Sequence, residues 1–170
     1  VYAVRKVTEY FVYNDSTVNL CFLDISKGFD KVNNYELMLK LMKRQTPSYF
    51  IQILINWFSL SQCLVRWNDT MSDMYKLEVG VRQGGILSPV LFSVYVDDML
   101  CKLKNMGCIY KGFHVGAFMY ADDLVLIASS INELQKMLNV CKLEMLSIDL
   151  RLNVKKSKAI RIGKRFKIKP

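Results

Sequence analysis

The fold is decided by the stretch Val115-Gly-Ala-Phe-Met-Tyr120-Ala-Asp122-Asp123-Leu-Val-Leu-Ile-Ala128, which sets two acids between two apolar runs. Short apolar runs of this kind predict strands over 115–120 and 123–128. Because so little chain separates them, the two runs predict a tight β-hairpin. The hairpin is expected to present Asp122 and Asp123 at its bend.

The segments on either side of the hairpin complete a sheet. Asp24 ends a β-prone run, and apolar residues at helical spacing predict one helix before the hairpin and one after it. The elements in order are strand 17–24, helix 88–104, the hairpin, helix 131–148 and strand 159–162. This β-α-β-β-α-β order is typical of a ferredoxin-like α+β unit. In such a sheet the end of the first strand can lie beside the central hairpin, so Asp24 is expected near Asp122 and Asp123.

Further helices and a second hairpin are predicted outside this core. They are a helix over 2–12, a helix that ends near Pro47, a helix from Ser48 to Leu60 and a hairpin that turns at Asn68-Asp69. Asp30 is expected to cap the second of these helices, and Ser88 is expected to cap helix 88–104.

Charge is concentrated at the C-terminus. The last 20 residues hold nine basic side chains and no acid, so the other 150 residues hold 15 groups of each sign and no net charge. A basic block suits a polyanion such as nucleic acid, because Lys and Arg release condensed counterions from phosphates. A solvated chain end explains the same block equally well. No apolar run approaches the roughly 20 residues that a membrane span requires.

Cysteine usage argues against structural zinc. The five cysteines include no C-x-x-C pair, and the single histidine, His114, reads as a strand or turn residue rather than a base. Cys21 lies in an apolar strand-like run and Cys141 on the apolar face of a predicted helix, so buried, reduced thiols in an intracellular protein are the simplest account. The chain begins with Val, and no signal sequence precedes its first amphipathic stretch, so we expect a piece of a longer protein.

The three acids that the sheet is expected to bring together predict a metal site. Carboxylates held close repel one another unless cations join them, and hard divalent cations prefer oxygen ligands. Asp24, Asp122 and Asp123 therefore predict a Mg²⁺ site. Two such ions, roughly 3.5–4 Å apart, stabilise the attacking and leaving oxygens of an in-line phosphoryl displacement. An isolated Asp-Asp pair is weak evidence, since most such pairs lie in turns or at helix ends.

Four motifs follow one another along the chain. They are Phe22-Leu-Asp24-Ile-Ser-Lys-Gly-Phe29-Asp30-Lys-Val, Gly80-Val-Arg-Gln83-Gly84-Gly-Ile-Leu-Ser88-Pro89-Val-Leu-Phe, Tyr120-Ala-Asp122-Asp123 and Leu152-Asn153-Val-Lys-Lys156-Ser157-Lys158. In content and order they resemble the palm motifs of reverse transcriptases. The chain most resembles the polymerases of non-LTR (LINE-type) retrotransposons. Its Gly-Gly-Ile-Leu-Ser-Pro run is also similar to group II intron reverse transcriptases.

The resemblance implies that Asp24, Asp122 and Asp123 are catalytic and bind the metal ions, with the Ile25 backbone carbonyl as a further ligand. Lys156 matches a lysine that neutralises or protonates the departing pyrophosphate. The alternative for Lys156 is that it is one more lysine of the basic tail.

The resemblance also implies nucleotide-binding and template-binding residues. Phe29 matches the aromatic residue that closes against the sugar 2′ position and favours deoxynucleotides, although a buried aromatic at a turn is the alternative. Gly28 departs from the commoner alanine before this aromatic. Gln83 and Gly84 match the motif that lets an amide and the backbone approach the incoming nucleotide and the template.

The implied function is RNA-directed DNA synthesis, in which a primer 3′-hydroxyl attacks a dNTP. The cofactors are two Mg²⁺ ions, for which Mn²⁺ is an alternative, and the partners are an RNA template and a DNA primer. The implied division is a partial reverse transcriptase domain with the end of the fingers over 1–16, the palm over 17–163, a basic tail over 151–170 and no thumb. The expected location is intracellular, as a ribonucleoprotein in the nucleus or cytoplasm. The alternatives are a group II intron enzyme and a non-catalytic nucleic-acid-binding remnant of a decayed retroelement.

A second Y-x-D-D sequence, Tyr95-Val-Asp97-Asp98, falls inside the predicted helix 88–104. Successive residues of a helix point about 100° apart, so this pair cannot present both acids at one hairpin tip. We expect Asp97 and Asp98 to lie more than roughly 10 Å from Asp24, beyond the reach of shared metal ions.

Overall fold

The computed structural model describes residues 2–164, and the chain divides into two units. Val1–Gly28 and Val96–Pro170 form the first unit, and Phe29–Tyr95 forms the second. In chain order the elements are α1 (Tyr2–Tyr13), β1 (Val18–Asp24), a 3₁₀ turn (Phe29–Lys31), α2 (Asn34–Lys43), α3 (Ser48–Ser59), β2 (Gln62–Cys63), β3 (Arg66–Trp67), β4 (Thr70–Met71), β5 (Tyr75–Lys76), α4 (Ser88–Leu103), β6 (Ile109–Tyr110), β7 (Phe113–His114), β8 (Ala117–Tyr120), β9 (Asp123–Ala128), α5 (Ile131–Ser147) and β10 (Lys158–Ile162).

The first unit is built on a four-stranded antiparallel sheet with the strand order β10-β1-β9-β8. The chain order β1, α4, β8, β9, α5, β10 is the β-α-β-β-α-β order predicted from the sequence. The predicted hairpin is the β8–β9 pair, and β1 lies beside β9 as expected.

Helices cover both faces of the central strands, which explains why β1 is apolar along most of its length. On one face the buried cluster consists of Val7 from α1 with Val18, Leu20, Cys108 and Ile127. On the other face, α5 packs against β1 and β9, and its buried residues are Leu134, Met137, Cys141 and Met145. Phe22 is 43% exposed, so the cover provided by α1 ends before β1 reaches Asp24.

Three of the five free cysteines, Cys21, Cys108 and Cys141, are buried. Burial raises the pKa of the Cys141 thiol to about 12 and that of the Cys108 thiol to about 11, and it also raises the pKa of Cys21. Little reactive thiolate forms near neutral pH when the pKa is raised in this way. These cysteines are therefore core residues, as the sequence predicts for Cys21 and Cys141.

In the second unit, helix α2 begins after Asn33 and not at Asp30. The Asn33 side chain accepts hydrogen bonds from two backbone N–H groups of the first turn, at 2.9 and 3.2 Å. Asp30 lies in the 3₁₀ turn, and its carboxylate accepts a hydrogen bond from Gln83, 53 residues further along the chain. The prediction that Asp30 caps this helix is wrong because Asp30 lies in the preceding 3₁₀ turn, and Asn33, whose backbone is extended, immediately precedes the helix.

The small hairpin of the second unit is present where the sequence predicts it. Strands β3 and β4 pair around Asn68-Asp69, and Asn68 has a φ of +52°, a left-handed conformation that asparagine tolerates. Strands β2 and β5 pair separately. Ser88 is the first residue of α4, one position after the cap position, and its hydroxyl donates to the Arg82 carbonyl. The prediction for Ser88 is therefore wrong by one position.

His114 lies in β7, as its sequence context predicts. Within residues 2–164, no helix combines the length and the apolar character needed to cross a membrane. The basic tail is described as far as residue 164, where it forms a turn and β10; Arg165, Lys167 and Lys169 lie outside the described residues.

Candidate active site

Two acids of the predicted metal site are brought together by the register of the sheet. Asp24 is the last residue of β1, Asp123 is the first residue of β9, and the two are direct partners in the antiparallel ladder. Direct partners point to the same face of a sheet, with Cβ atoms about 4.5–5.5 Å apart. We call Asp24 and Asp123 the acidic pair. About a hundred residues separate them in sequence, so it is the fold that brings them together.

Asp122 lies in the turn that joins β8 to β9. Tyr120 pairs with Asp123, so Ala121 and Asp122 form a two-residue hairpin loop. Ala121 has a φ of +52°, which is left-handed backbone that disfavours a residue with a Cβ. Strain of this kind is retained at functional sites when the surrounding structure holds it in place. The turn keeps Asp122 next to the acidic pair.

A turn formed by Asn153 to Ser157, the Asn153–Ser157 turn, holds Asp24 through its backbone. The Asn153 N–H donates to the Asp24 carbonyl at 2.8 Å, and the Asp24 N–H donates to Ser157 Oγ at 3.3 Å. The Ser157 hydroxyl in turn donates to the Asn153 carbonyl at 2.8 Å. Both backbone groups of Asp24 are therefore satisfied on the β10 side of β1, and the turn fixes the position of this acid.

Lys156 lies in the same turn, and its Nζ is 3.8 Å from Asp24 Oδ1. Its backbone N–H donates to the carbonyl and to the side-chain oxygen of Asn153, at 3.2 and 3.3 Å. The fourth sequence motif contains Asn153, Lys156 and Ser157, but the resemblance assigns a role only to Lys156. Asn153 and Ser157 are typical turn residues, which is the signal that the sequence offers. Their contact with Asp24 is not visible in the local pattern, because Asp24 is 133 residues from Ser157.

The Ile25 carbonyl faces the edge of β1 on which Asp123 lies. Ile25 and Leu152 form an isolated antiparallel bridge whose hydrogen bonds are made by the flanking residues, Asp24 with Asn153 and Ser26 with Arg151. Backbone groups of successive strand residues alternate between the two edges. Because the groups of Asp24 point toward β10, those of Ile25 point toward β9, where the implied metal ligand is expected.

The donor set at this strand end fits a divalent cation. Carboxylate and carbonyl oxygens are the ligands that Mg²⁺ prefers, and Lys156 already stands beside Asp24 as a positive charge. Among residues 2–164, no three His, Cys, Asp or Glu side chains are close enough together to hold a metal ion. Asp24 and Asp123 form the acidic pair, and Asp122 lies in the adjoining turn, so the three acids are not a closed cluster. Metal binding by all three stays a prediction.

A cavity of about 700 Å³ opens beside the acidic pair, between the end of the sheet and the first turns of α1. Its lining includes both acids, Lys156, Arg5 and the aromatic side chains Phe22, Phe118 and Tyr120. The side chain of Asp24 is 29% exposed, so the carboxylate is accessible from this cavity. The first unit therefore places its acids at an open surface and not in the core.

The predicted nucleotide-binding residues Phe29, Gln83 and Gly84 belong to the second unit. The Phe29 ring stacks on Phe92, with ring centres 4.7 Å apart and planes at 18°, and the Phe29 carbonyl accepts the Val81 N–H at 2.8 Å. Gln83 Nε2 donates to Asp30 Oδ1 at 2.8 Å. The 3₁₀ turn and the 80–84 segment are thus held together, and sequence reasoning missed Phe92 and the role of Asp30.

Gly84 has a φ of +80°, and a Cβ built on it meets no atom within 4 Å. Its backbone conformation is one that glycine adopts readily and other residues do not. The open space beside it agrees with the expectation that the backbone is approached closely here, and that contact stays a prediction.

The second Y-x-D-D sequence lies on α4, as predicted. Asp97 lines a different cavity, of about 360 Å³, together with Cys101 and His114, and it accepts a hydrogen bond from Cys101. Asp98 follows it on the same helix. Their distance from Asp24 stays a prediction.

Comparison with known proteins shows the family to which the chain belongs. Residues 7–168 match the family model described as reverse transcriptase (RNA-dependent DNA polymerase). The chain belongs to this family of nucleotidyltransferase enzymes.

The relatives that it matches come from retrotransposons. It is 26% identical over 167 residues to the transposon TX1 uncharacterized 149 kDa protein of Xenopus laevis, covering 96% of this chain and 13% of that protein. It is 32% identical over 136 residues to the Pol polyprotein of the type-2 retrotransposable element R2DM of Drosophila melanogaster, covering 79% and 13%. The resemblance to non-LTR polymerases is confirmed, and the chain spans about an eighth of the length of these relatives.

Solved structures support the fold. Truncated apo telomerase from Candida tropicalis superposes with a TM-score of 0.70 at 18% identity, covering 98% of this chain and 36% of that one. Telomerase from Candida albicans, in complex with a fragment of telomeric RNA, gives a TM-score of 0.58 at 14% identity, covering 94% and 29%. The predicted α+β class is therefore that of a polymerase fold.

Proposed function

We propose that this chain carries the catalytic carboxylates of an RNA-directed DNA polymerase that adds dNTPs to a primer 3′-hydroxyl by a two-metal mechanism. The observation that carries the proposal is the direct pairing of Asp24 with Asp123 across β1 and β9, next to the strained turn that holds Asp122. Carboxylates at the open end of a sheet repel a polyanionic substrate. They can act on it only when bound cations neutralise that repulsion.

Asp24, Asp122, Asp123 and the Ile25 carbonyl would hold two Mg²⁺ ions, for which Mn²⁺ is a substitute. Such ions, when bound, stabilise the attacking and leaving oxygens of a phosphoryl displacement. The protein's own contribution is position, because the chemistry of phosphoryl transfer needs few covalent steps from side chains. The Asn153–Ser157 turn holds Asp24 in place for this purpose, and Lys156 neutralises or protonates the departing pyrophosphate.

The second unit supplies the nucleotide contacts in this proposal. Phe29, supported by Phe92, closes against the sugar 2′ position, which favours dNTPs. Gln83 and Gly84 contact the incoming nucleotide and the template. The Gln83 amide nitrogen donates to Asp30, which leaves its amide oxygen as the group assigned to that contact in the proposal.

The implied organisation also belongs to the proposal. Residues 1–16 end the fingers region, residues 17–163 form the palm, and residues 151–170 are a basic tail that meets nucleic-acid phosphates. The partners are an RNA template and a DNA primer, and the location is intracellular, in a ribonucleoprotein of the nucleus or cytoplasm. The retrotransposon relatives favour this assignment over a group II intron enzyme, and the three intact acids favour it over a non-catalytic remnant.

The experiment is primer extension with dNTPs and Mg²⁺ on this chain and on the reading frame that contains it. Asp24→Asn and Asp122→Asn are expected to lose extension by several orders of magnitude while remaining folded, because each removes a charge that the metal ions need. Asp98→Asn, the matched change in the second Y-x-D-D sequence, is expected to retain activity. Extension by Asp24→Asn at the wild-type rate, or no extension by either wild-type protein, would contradict the proposal.

A further inference from the structure

The Asn153–Ser157 turn holds the positively charged Lys156 beside Asp24. The turn is bonded to the backbone of Asp24 at both the carbonyl and the N–H, through Asn153 and Ser157. The Lys156 N–H is bonded within the turn to Asn153. Hydrogen bonds therefore fix the backbone of Lys156 relative to Asp24. From this position the Lys156 ammonium group lies 3.8 Å from the Asp24 carboxylate.

The charges around Asp24 explain why a lysine is useful there. Asp123 is the direct cross-strand partner of Asp24, and like charges in that position destabilise a sheet. Lys156 is the cation paired with Asp24, so its ammonium group reduces the repulsion in the metal-free protein.

The geometry of the ion pair between Lys156 and Asp24 makes Lys156 easy to displace. The Nζ–Oδ1 distance of 3.8 Å is longer than a hydrogen bond, and the Lys156 side chain is 71% exposed. Exposed ion pairs of this kind are weak because water and salt screen them. A divalent ion carries twice the charge of the Lys156 ammonium group and binds carboxylate oxygens directly. It would therefore bind Asp24 more strongly than the ammonium group does and displace it.

We infer that Lys156 is the resident counter-cation of Asp24 in the metal-free protein and that divalent metal displaces it. This inference rests on the proposed function, because it concerns the same acids. The displaced side chain stays tethered by the Asn153–Ser157 turn within reach of the site, where an anionic triphosphate or pyrophosphate is its next partner. Lys156 would thus be a positioning residue before it meets a substrate.

The test measures Mn²⁺ binding to the chain by the loss of the electron paramagnetic resonance signal of free Mn²⁺, with Mg²⁺ as competitor. Lys156→Gln is expected to lower the dissociation constant for Mn²⁺ by about 1.5- to 5-fold, the range that removal of a weak exposed ion pair gives. Lys155→Gln is the matched control, since it removes the same charge from the same turn without the contact to Asp24. It is expected to change the constant by less than half as much.

The outcomes separate the inference from the proposed function. Equal constants for Lys156→Gln and Lys155→Gln, with wild-type binding that Asp24→Asn abolishes, would overturn the inference and leave the metal site standing. Wild-type protein that binds no Mn²⁺, or binds it equally well after Asp24→Asn, would overturn both. Because Lys156 is largely exposed, its substitution is expected to leave the fold intact, which circular dichroism checks.

Discussion

Replacing Asp123 with asparagine is expected to stabilise the metal-free chain while removing its response to metal. Asp24 and Asp123 are direct partners across β1 and β9, and like charges so placed destabilise a sheet by an amount within about 0.2–1 kcal/mol. Asparagine has nearly the same shape as aspartate but carries no charge. The change therefore removes repulsion with little loss of packing.

The size of the effect follows from the surroundings of the acidic pair. Asp123 is exposed, Asp24 is partly exposed, and Lys156 already offsets part of the repulsion, so we expect the lower part of the range, about 0.2–0.5 kcal/mol. For a chain of this length, about 1 kcal/mol shifts the Tm by roughly 2–4 °C. The expected rise in Tm at low salt is therefore about 0.5–2 °C.

Magnesium is expected to reverse the order of stability. A ligand that binds only the folded state stabilises it by RT ln(1 + [L]/Kd), which is about 1.4 kcal/mol at ten times the Kd. The wild-type Tm should then rise by about 3–6 °C, and the Tm of Asp123→Asn should not change.

Differential scanning calorimetry of the chain with and without Mg²⁺ measures both effects. Asp98→Asn, at an exposed acid of α4, is the control and should keep the wild-type response to Mg²⁺. A lower Tm for metal-free Asp123→Asn would refute the repulsion argument. An equal Mg²⁺ response in wild type and Asp123→Asn would refute the metal site.

Three further predictions concern packing, primer extension and the basic tail. Phe92→Ala is expected to lower the free energy of unfolding by about 3–5 kcal/mol in urea titrations, because Phe92 is 1% exposed and stacks on Phe29; Tyr49→Ala, at a 70% exposed position, should cost less than about 1 kcal/mol. The chain on its own is expected to extend primers poorly, because it spans 13% of its relatives' length and catalysis by positioning is lost with small misplacements. It should bind duplex weakly, with a Kd that rises steeply with salt and a smaller salt slope after neutralisation of the tail lysines; binding that ignores salt would exclude the role given to the tail.

The order of elements was readable from the sequence because it depends on local pattern. Short β-prone and apolar runs predict β1, β8 and β9, and an acid-containing break between two of them predicts the hairpin that presents Asp122. The family motifs add Phe29 and Gln83. Local backbone preferences act over a few residues, so they can be assigned without knowledge of the rest of the chain.

The contacts that position the site were decided only by the tertiary structure. Strand register opposes Asp24 to Asp123 rather than to its neighbour in the turn, and register depends on burial across the whole sheet. The N-cap of α2 is Asn33 and not Asp30, whose carboxylate accepts a hydrogen bond from Gln83. The Asn153–Ser157 turn meets Asp24 from more than a hundred residues away. Each of these depends on two segments meeting in space, and no pattern within one segment specifies which polar group its partner will offer.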